Sequence, residues 1–173
     1  IGIVPGAVED NMKVYAEVWP PIVEHAEKYG VKIAIENCMG NIAYSPYIWE
    51  KMFNMIPSKN IGLNFDPSHL VFQFIDYLDA VRKFGDRIHH THCKDTEILK
   101  SRLSWVGYTG EDWWRFRIPG LGDIDWKRFI NELQDHKYDY VLSIEHEDPV
   151  YHGIEGFKKG LVIGGRHLAQ FLP

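Results

Sequence analysis

Four apolar runs in this chain of 173 residues end on side chains that commonly bind metal ions. Val31 to Glu36, Ile61 to Asp66 and Tyr140 to Glu145 finish on carboxylates, and Ile88 to His92 finishes on an imidazole. Three carboxylates and one imidazole suit Mn, Mg, Zn or Co rather than a cysteine-type structural zinc. Singly, a strand-end Glu or Asp is usually a helix cap or a solvated loop residue, and a lone His is usually a hydrogen-bonded packing residue. Together, at one strand end and with one parity, the three carboxylates would repel each other unless protonated or bound to a cation. Glu36, Asp66, His92 and Glu145 are therefore the expected ligands of one divalent metal ion.

Several neighbours are candidates to touch a substrate at that metal. His69 follows Asp66 in Asp66-Pro67-Ser68-His69, where the proline stiffens the turn, and it is placed as a hydrogen-bond donor to substrate. His90 shares the parity of His92 and is expected to line the pocket, whereas His89 should face a helix. Lys94 and Asp95 leave the third strand, either bonding across the mouth or forming a surface ion pair. Arg115 and Arg117 precede Pro119-Gly120-Leu121-Gly122, and Arg117, nearer that turn, is the candidate to reach a substrate. His146, Glu147 and Asp148 read as a solvated strand exit.

The elements that must position these residues follow from periodicity. Met12, Tyr15, Val18, Trp19, Ile22, Val23 and Ala26 have helical spacing over residues 8–29, with Gly30 as the stop and Pro20-Pro21 as a kink or restart. Residues 31–37 and 61–66 alternate, as strands do. Ser45-Pro46 starts a helix over 47–55, Asp76 caps one reaching Phe84, and Asp125 starts one through Leu133. Residues 88–93 and 140–145 are the third and fourth strands, residues 94–117 a long tryptophan-bearing connection, and residues 154–171 a glycine-rich final helix.

Strand ends at 36, 66, 92 and 145, separated by helices, predict a parallel sheet with crossover connections. An open sheet covered by helices on both faces would want both parities apolar. Here one parity is aliphatic and the other small or polar, which suits the C-terminal mouth of a barrel.

Composition excludes other classes. A net charge of −5 without a basic block gives no footprint for nucleic acid. No apolar run reaches the roughly 18 residues of a membrane span, and there is no basic-then-apolar leader. Two cysteines, Cys38 and Cys93, are too few for a disulfide framework, and a cytoplasmic location is expected. The whole of residues 1–173 reads as one domain, and Ile1 to Pro5 read like the tail of a preceding strand.

The segments Ile35-Glu36-Asn37, Asn64-Phe65-Asp66-Pro67-Ser68-His69, His90-Thr91-His92-Cys93-Lys94-Asp95, Pro119 to Trp126 and Ser143-Ile144-Glu145 resemble the sugar isomerase and epimerase superfamily built on the xylose isomerase-like TIM barrel. The resemblance covers nearly everything from residue 31 onward. It implies an α/β chain holding the last four β/α units of a (β/α)8 barrel. It also implies that Glu36, Asp66, His92 and Glu145 hold the metal, that Glu36 and Glu145 are the acid/base pair, and that His69 and an arginine contact substrate. In ketose epimerases the arginine follows soon after the metal histidine, where this chain has Ile98 to Arg102, so that role is open here.

Half a barrel leaves two strand edges and an inner face uncovered. The rest of a longer polypeptide, or a second chain in a homo-oligomer, is expected to cover them. The implied activity is metal-dependent isomerisation or epimerisation of a sugar or sugar phosphate, with proton transfer by carboxylates through an enediolate. Dehydration of an inosose-type polyol ketone is the nearest alternative. An endonuclease IV-like phosphodiesterase needs further ligands, including a histidine that residues 96–122 lack, and a non-catalytic binding module would have no use for the ligand set.

Overall fold

A computed structural model describes residues 7–172; the expectation for Ile1 to Pro5 lies outside them. Helix α1 spans Ala7–Lys28, with Pro20 and Pro21 inside a continuous helix rather than at a restart. It buries Met12, Tyr15, Val23 and Ala26 on one face. Strand β1 (Ile33–Glu36) follows, then α2 (Pro46–Met55), which has proline in its first turn where the absent N–H costs nothing.

Strand β2 (Ile61–Phe65) leads into a one-turn helix, α3 (Ser68–Val71), and then α4 (Tyr77–Phe84). Asp76 caps α4 by accepting from the N–H groups of Leu78 and Asp79. Strand β3 spans Ile88–Cys93. The connection expected after it has its own structure. Strands β4 (Asp95–Ile98) and β5 (Trp114–Arg117) form an antiparallel ribbon with helix α5 (Lys100–Val106) between them. Helix α6 (Trp126–Asp135) is capped by Asp125, strand β6 is Leu142–Ile144, and α7 is Gly153–Leu168.

The main sheet has the order β1-β2-β3-β6, with every pair parallel. Glu36 is level with Asn64, Asn64 with His90, and His92 with Ser143. The strand ends that carry Glu36, Asp66, His92 and Glu145 therefore lie together at the C-terminal end of the sheet. Alternation puts Ile61, Leu63 and Phe65 under the helices, all fully buried, while Asn64, His90 and His92 on the opposite face stay partly open. Phe65 joins Trp49 of α2 edge-on and stacks against Phe129 of α6, and Trp49 meets Phe84 of α4. That aromatic core fixes three helices against the sheet. Strands β1 and β6 are its outer members among the described residues.

Candidate metal centre

Glu36 ends β1, Asp66 follows β2, His92 lies one residue before the end of β3, and Glu145 follows β6. One ligand atom from each lies within 4.8 Å of all the others. His92 Nδ1 is 3.0 Å from Glu36 Oε1 and 3.2 Å from Glu145 Oε2. Asp66 is fully buried, and its Oδ2 has no hydrogen-bond partner, although the Lys94 ammonium is 3.3 Å away.

Electrostatics show the strain of such a cluster. Burial pushes the Asp66 carboxyl up to about 7 against the pull of Lys94. Hydrogen bonds donated to Glu145 and Glu36 raise His92 to about 10, and the His92 bond holds Glu145 down to about 2. The same bond lowers Glu36. Without a cation the imidazolium of His92 thus partly serves as the counter-charge; an arriving metal ion would displace that proton and take its place. The orphaned Asp66 oxygen, the convergence of four donors and their oxygen-rich chemistry all fit a divalent ion. Among the described residues, this is the group of such side chains that converges closely enough to hold one.

Backbone clamps hold the donors in place. The Asn37 side chain accepts from Asp66 N–H at 2.7 Å and donates to the Asp66 carbonyl at 2.8 Å, locking the end of β2 to that of β1. Asp66 Oδ1 accepts from Ser68 N–H at 2.8 Å, and Asn64 Nδ2 lies 3.2 Å from His92 Nε2.

The structure brings His69 to the cluster, with Nε2 3.5 Å from Asp66 Oδ2 and 3.8 Å from Glu36 Oε1. Its ring is buried edge-on against Phe72 and Phe116, and burial together with Lys94 lowers it to about 4. It is neutral at ordinary pH, and its Nδ1 has no partner. His90 lies beside His92 on the partly open face, ring centroids 5.7 Å apart. Arg117 is engaged elsewhere: its Nε donates to Asp148 at 2.8 Å and its Nη1 to Glu97 at 2.5 Å.

Lys94 takes the first of its two sequence readings, bonding across the mouth to Glu145 and Glu147 with its side chain 2% exposed, and not the surface pair. Asp95 and Asp148 differ from theirs. Asp95 is fully buried and accepts four hydrogen bonds. Asp148, expected in solvent, is 3% exposed and accepts from Arg117, Ile118 N–H and Val150 N–H. Each owes its burial to the β4–β5 ribbon or the turn after it, which carry little periodic signal. His89 is buried on the parity opposite to that of His90 and His92, and its Nε2 donates to the Lys59 carbonyl at 3.1 Å.

Comparisons with known proteins agree with this architecture. The chain is 29% identical over 148 residues to an inosose dehydratase of Clostridium perfringens, covering 82% of this chain and 49% of that protein. It therefore spans about half the length of the curated relatives it matches. A crystal structure of IolI protein with a bound zinc atom superposes with a TM-score of 0.72 at 21% identity, over 98% of this chain and 59% of that one. A D-tagatose 3-epimerase-like protein superposes with a TM-score of 0.65 at 26% identity, over 90% and 54%. Residues 2–162 match the xylose isomerase-like TIM barrel family, and this chain, with its four parallel β/α units, belongs to it.

Proposed function

We propose that this chain carries the metal-binding half of an enzyme that removes the proton next to a ketone in a small polyol, and that the reaction is dehydration of an inosose-type substrate. The observation that carries the proposal is the convergence of Glu36, Asp66, His92 and Glu145 within 4.8 Å around a buried carboxylate oxygen that accepts no hydrogen bond. The choice of dehydration over isomerisation rests on the relatives named inosose dehydratase.

A divalent ion bound there supplies Lewis-acid stabilisation of the negative charge that develops on the carbonyl oxygen. Glu36 and Glu145, the least buried of the three carboxylate ligands, are assigned as the pair that takes up and returns protons. Loss of the α-proton to one of them, followed by departure of the β-hydroxyl with a proton as water, leaves an unsaturated ketone. His69, neutral and held between Asp66 and two aromatic rings, offers hydrogen bonds to a substrate hydroxyl without adding charge. His90 lines the same face. Arg117 acts through Asp148 and Glu97 to shape the wall formed by β5 and the turn after it.

Epimerisation is the second reading, favoured by the D-tagatose 3-epimerase-like structure, and it shares the first step. Incubating the full-length protein with an inosose and Mn in deuterated water tests both. Growth of enone absorbance with loss of one water supports dehydration. Deuterium at the α-carbon of an epimerised ketone supports the second reading. Glu145→Gln should abolish exchange of the α-proton in either case; retained exchange would sink the assignment of Glu145.

A further inference from the structure

Lys94 plays no part in the chemistry just described, yet it is the cation most deeply placed in the centre. It has the inward parity of His90 and His92, one step beyond the end of β3. Its Nζ lies 2.7 Å from Glu145 Oε2, 3.0 Å from Glu147 Oε2 and 3.3 Å from Asp66 Oδ2, and 4.4 Å from the centroid of the Phe116 ring above it. The side chain is 2% exposed.

Desolvating an ammonium is costly, and only the carboxylates around it make its burial tolerable. Three carboxylate oxygens within 3.3 Å, from Asp66, Glu145 and Glu147, provide the counter-charge that an ammonium needs in so buried a place. The ammonium cannot ligate a metal while it carries its proton. It acts on the centre through charge and through its grip on two ligands, Asp66 and Glu145. Glu36, Asp66 and Glu145 bring three negative charges; His92, once ligated, brings none. One ammonium against three carboxylates leaves two negative charges. Glu147 is 47% exposed, so solvent screens most of its share.

We propose that Lys94 is a positioning residue that sets the charge of the metal centre, matching it to a single divalent ion and against a trivalent ion or a second divalent one. This rests on the metal reading of the cluster. The preference follows from Coulomb repulsion, which grows with the charge of the bound ion at a fixed distance from the ammonium.

The test uses full-length protein stripped by chelator and titrated separately with Mn²⁺ and Tb³⁺ by calorimetry. Lys94→Met is expected to shift the ratio of affinities toward Tb³⁺ by about tenfold or more, and Lys94→Arg to keep the parent's ratio. Lys94→Gln, which keeps hydrogen-bond donors but no charge, should follow the Met variant and serves if that variant folds poorly. An unchanged ratio in the uncharged variants, or equal loss of both ions, would overturn the charge-setting role and leave Lys94 a packing group. Failure of the parent to bind either ion would overturn the metal centre itself, which is a different result.

Discussion

The indole Nε1 of Trp126 donates a 2.8 Å hydrogen bond to the buried carboxylate of Asp95, joining the first residue of α6 to the first residue of β4. The same carboxylate accepts from Thr96 N–H at 2.8 Å, Gly120 N–H at 2.9 Å and Ile124 N–H at 3.1 Å. One side chain thereby fixes the whole turn between β5 and α6. Asp95→Ala leaves four donors, three of them buried, without their acceptor and should lower the unfolding free energy by about 3 kcal/mol or more. Asp95→Asn, which keeps one acceptor oxygen, should lose less. Urea unfolding of the three proteins checks this, and a loss under about 1 kcal/mol for the alanine variant would contradict it.

Gly62 lies in β2 where a Cβ would fall on the Arg87 carbonyl oxygen and the His89 ring. The Arg87 guanidinium also donates to the carbonyls of Pro57, Ser58 and Ile61, so this corner has little freedom to yield. Gly62→Ala should destabilise the fold by about 1–3 kcal/mol through overpacking. A thermal midpoint equal to the parent's would show that the corner relaxes.

His89 is buried, and desolvation, with Lys32 nearby, lowers its pKa below the ordinary value. The folded protein binds this proton less readily than the unfolded chain does. Stability from this group is therefore complete above about pH 6.5 and is lost progressively as pH falls from there through the lowered folded value. Replacing His89 with Gln should flatten the part of the stability profile that falls away below about pH 6.5. Chemical unfolding across the range, with and without the substitution, measures it; parallel profiles would remove His89 as a source of acid sensitivity.

On the proposed metal reading, chelation should lower stability as well as activity. At free ion near 100 times the dissociation constant, mass action stabilises the folded protein by about 2.7 kcal/mol. A chelator should abolish that increment, and Mn, Zn or Co should restore it. In Asp66→Asn, which removes the charge of the buried ligand, the shift in unfolding midpoint on adding metal should largely vanish. A full shift in that variant would mean that the ion binds elsewhere.

The convergence of Glu36, Asp66, His92 and Glu145 was readable from the chain because alternation and strand ends are local properties. These four side chains each close a short apolar run, so parity and position along the run are enough to place them together. The parallel order of β1, β2, β3 and β6 followed from the spacing of those runs. The environment around the ligands did not follow from spacing. Lys94 is buried because the β4–β5 ribbon folds over it, and that ribbon pairs residues such as Asp95 and Arg117 that lie far apart in the chain. Arg117 finds Asp148 across 31 positions, and Asn37 clamps Asp66 across 29. The chain by itself determined which side chains converge, since a strand's period sends every second residue to the same face. Only the tertiary structure decided which charges are desolvated and which are paired, because burial and ion pairing depend on segments distant in sequence meeting in space.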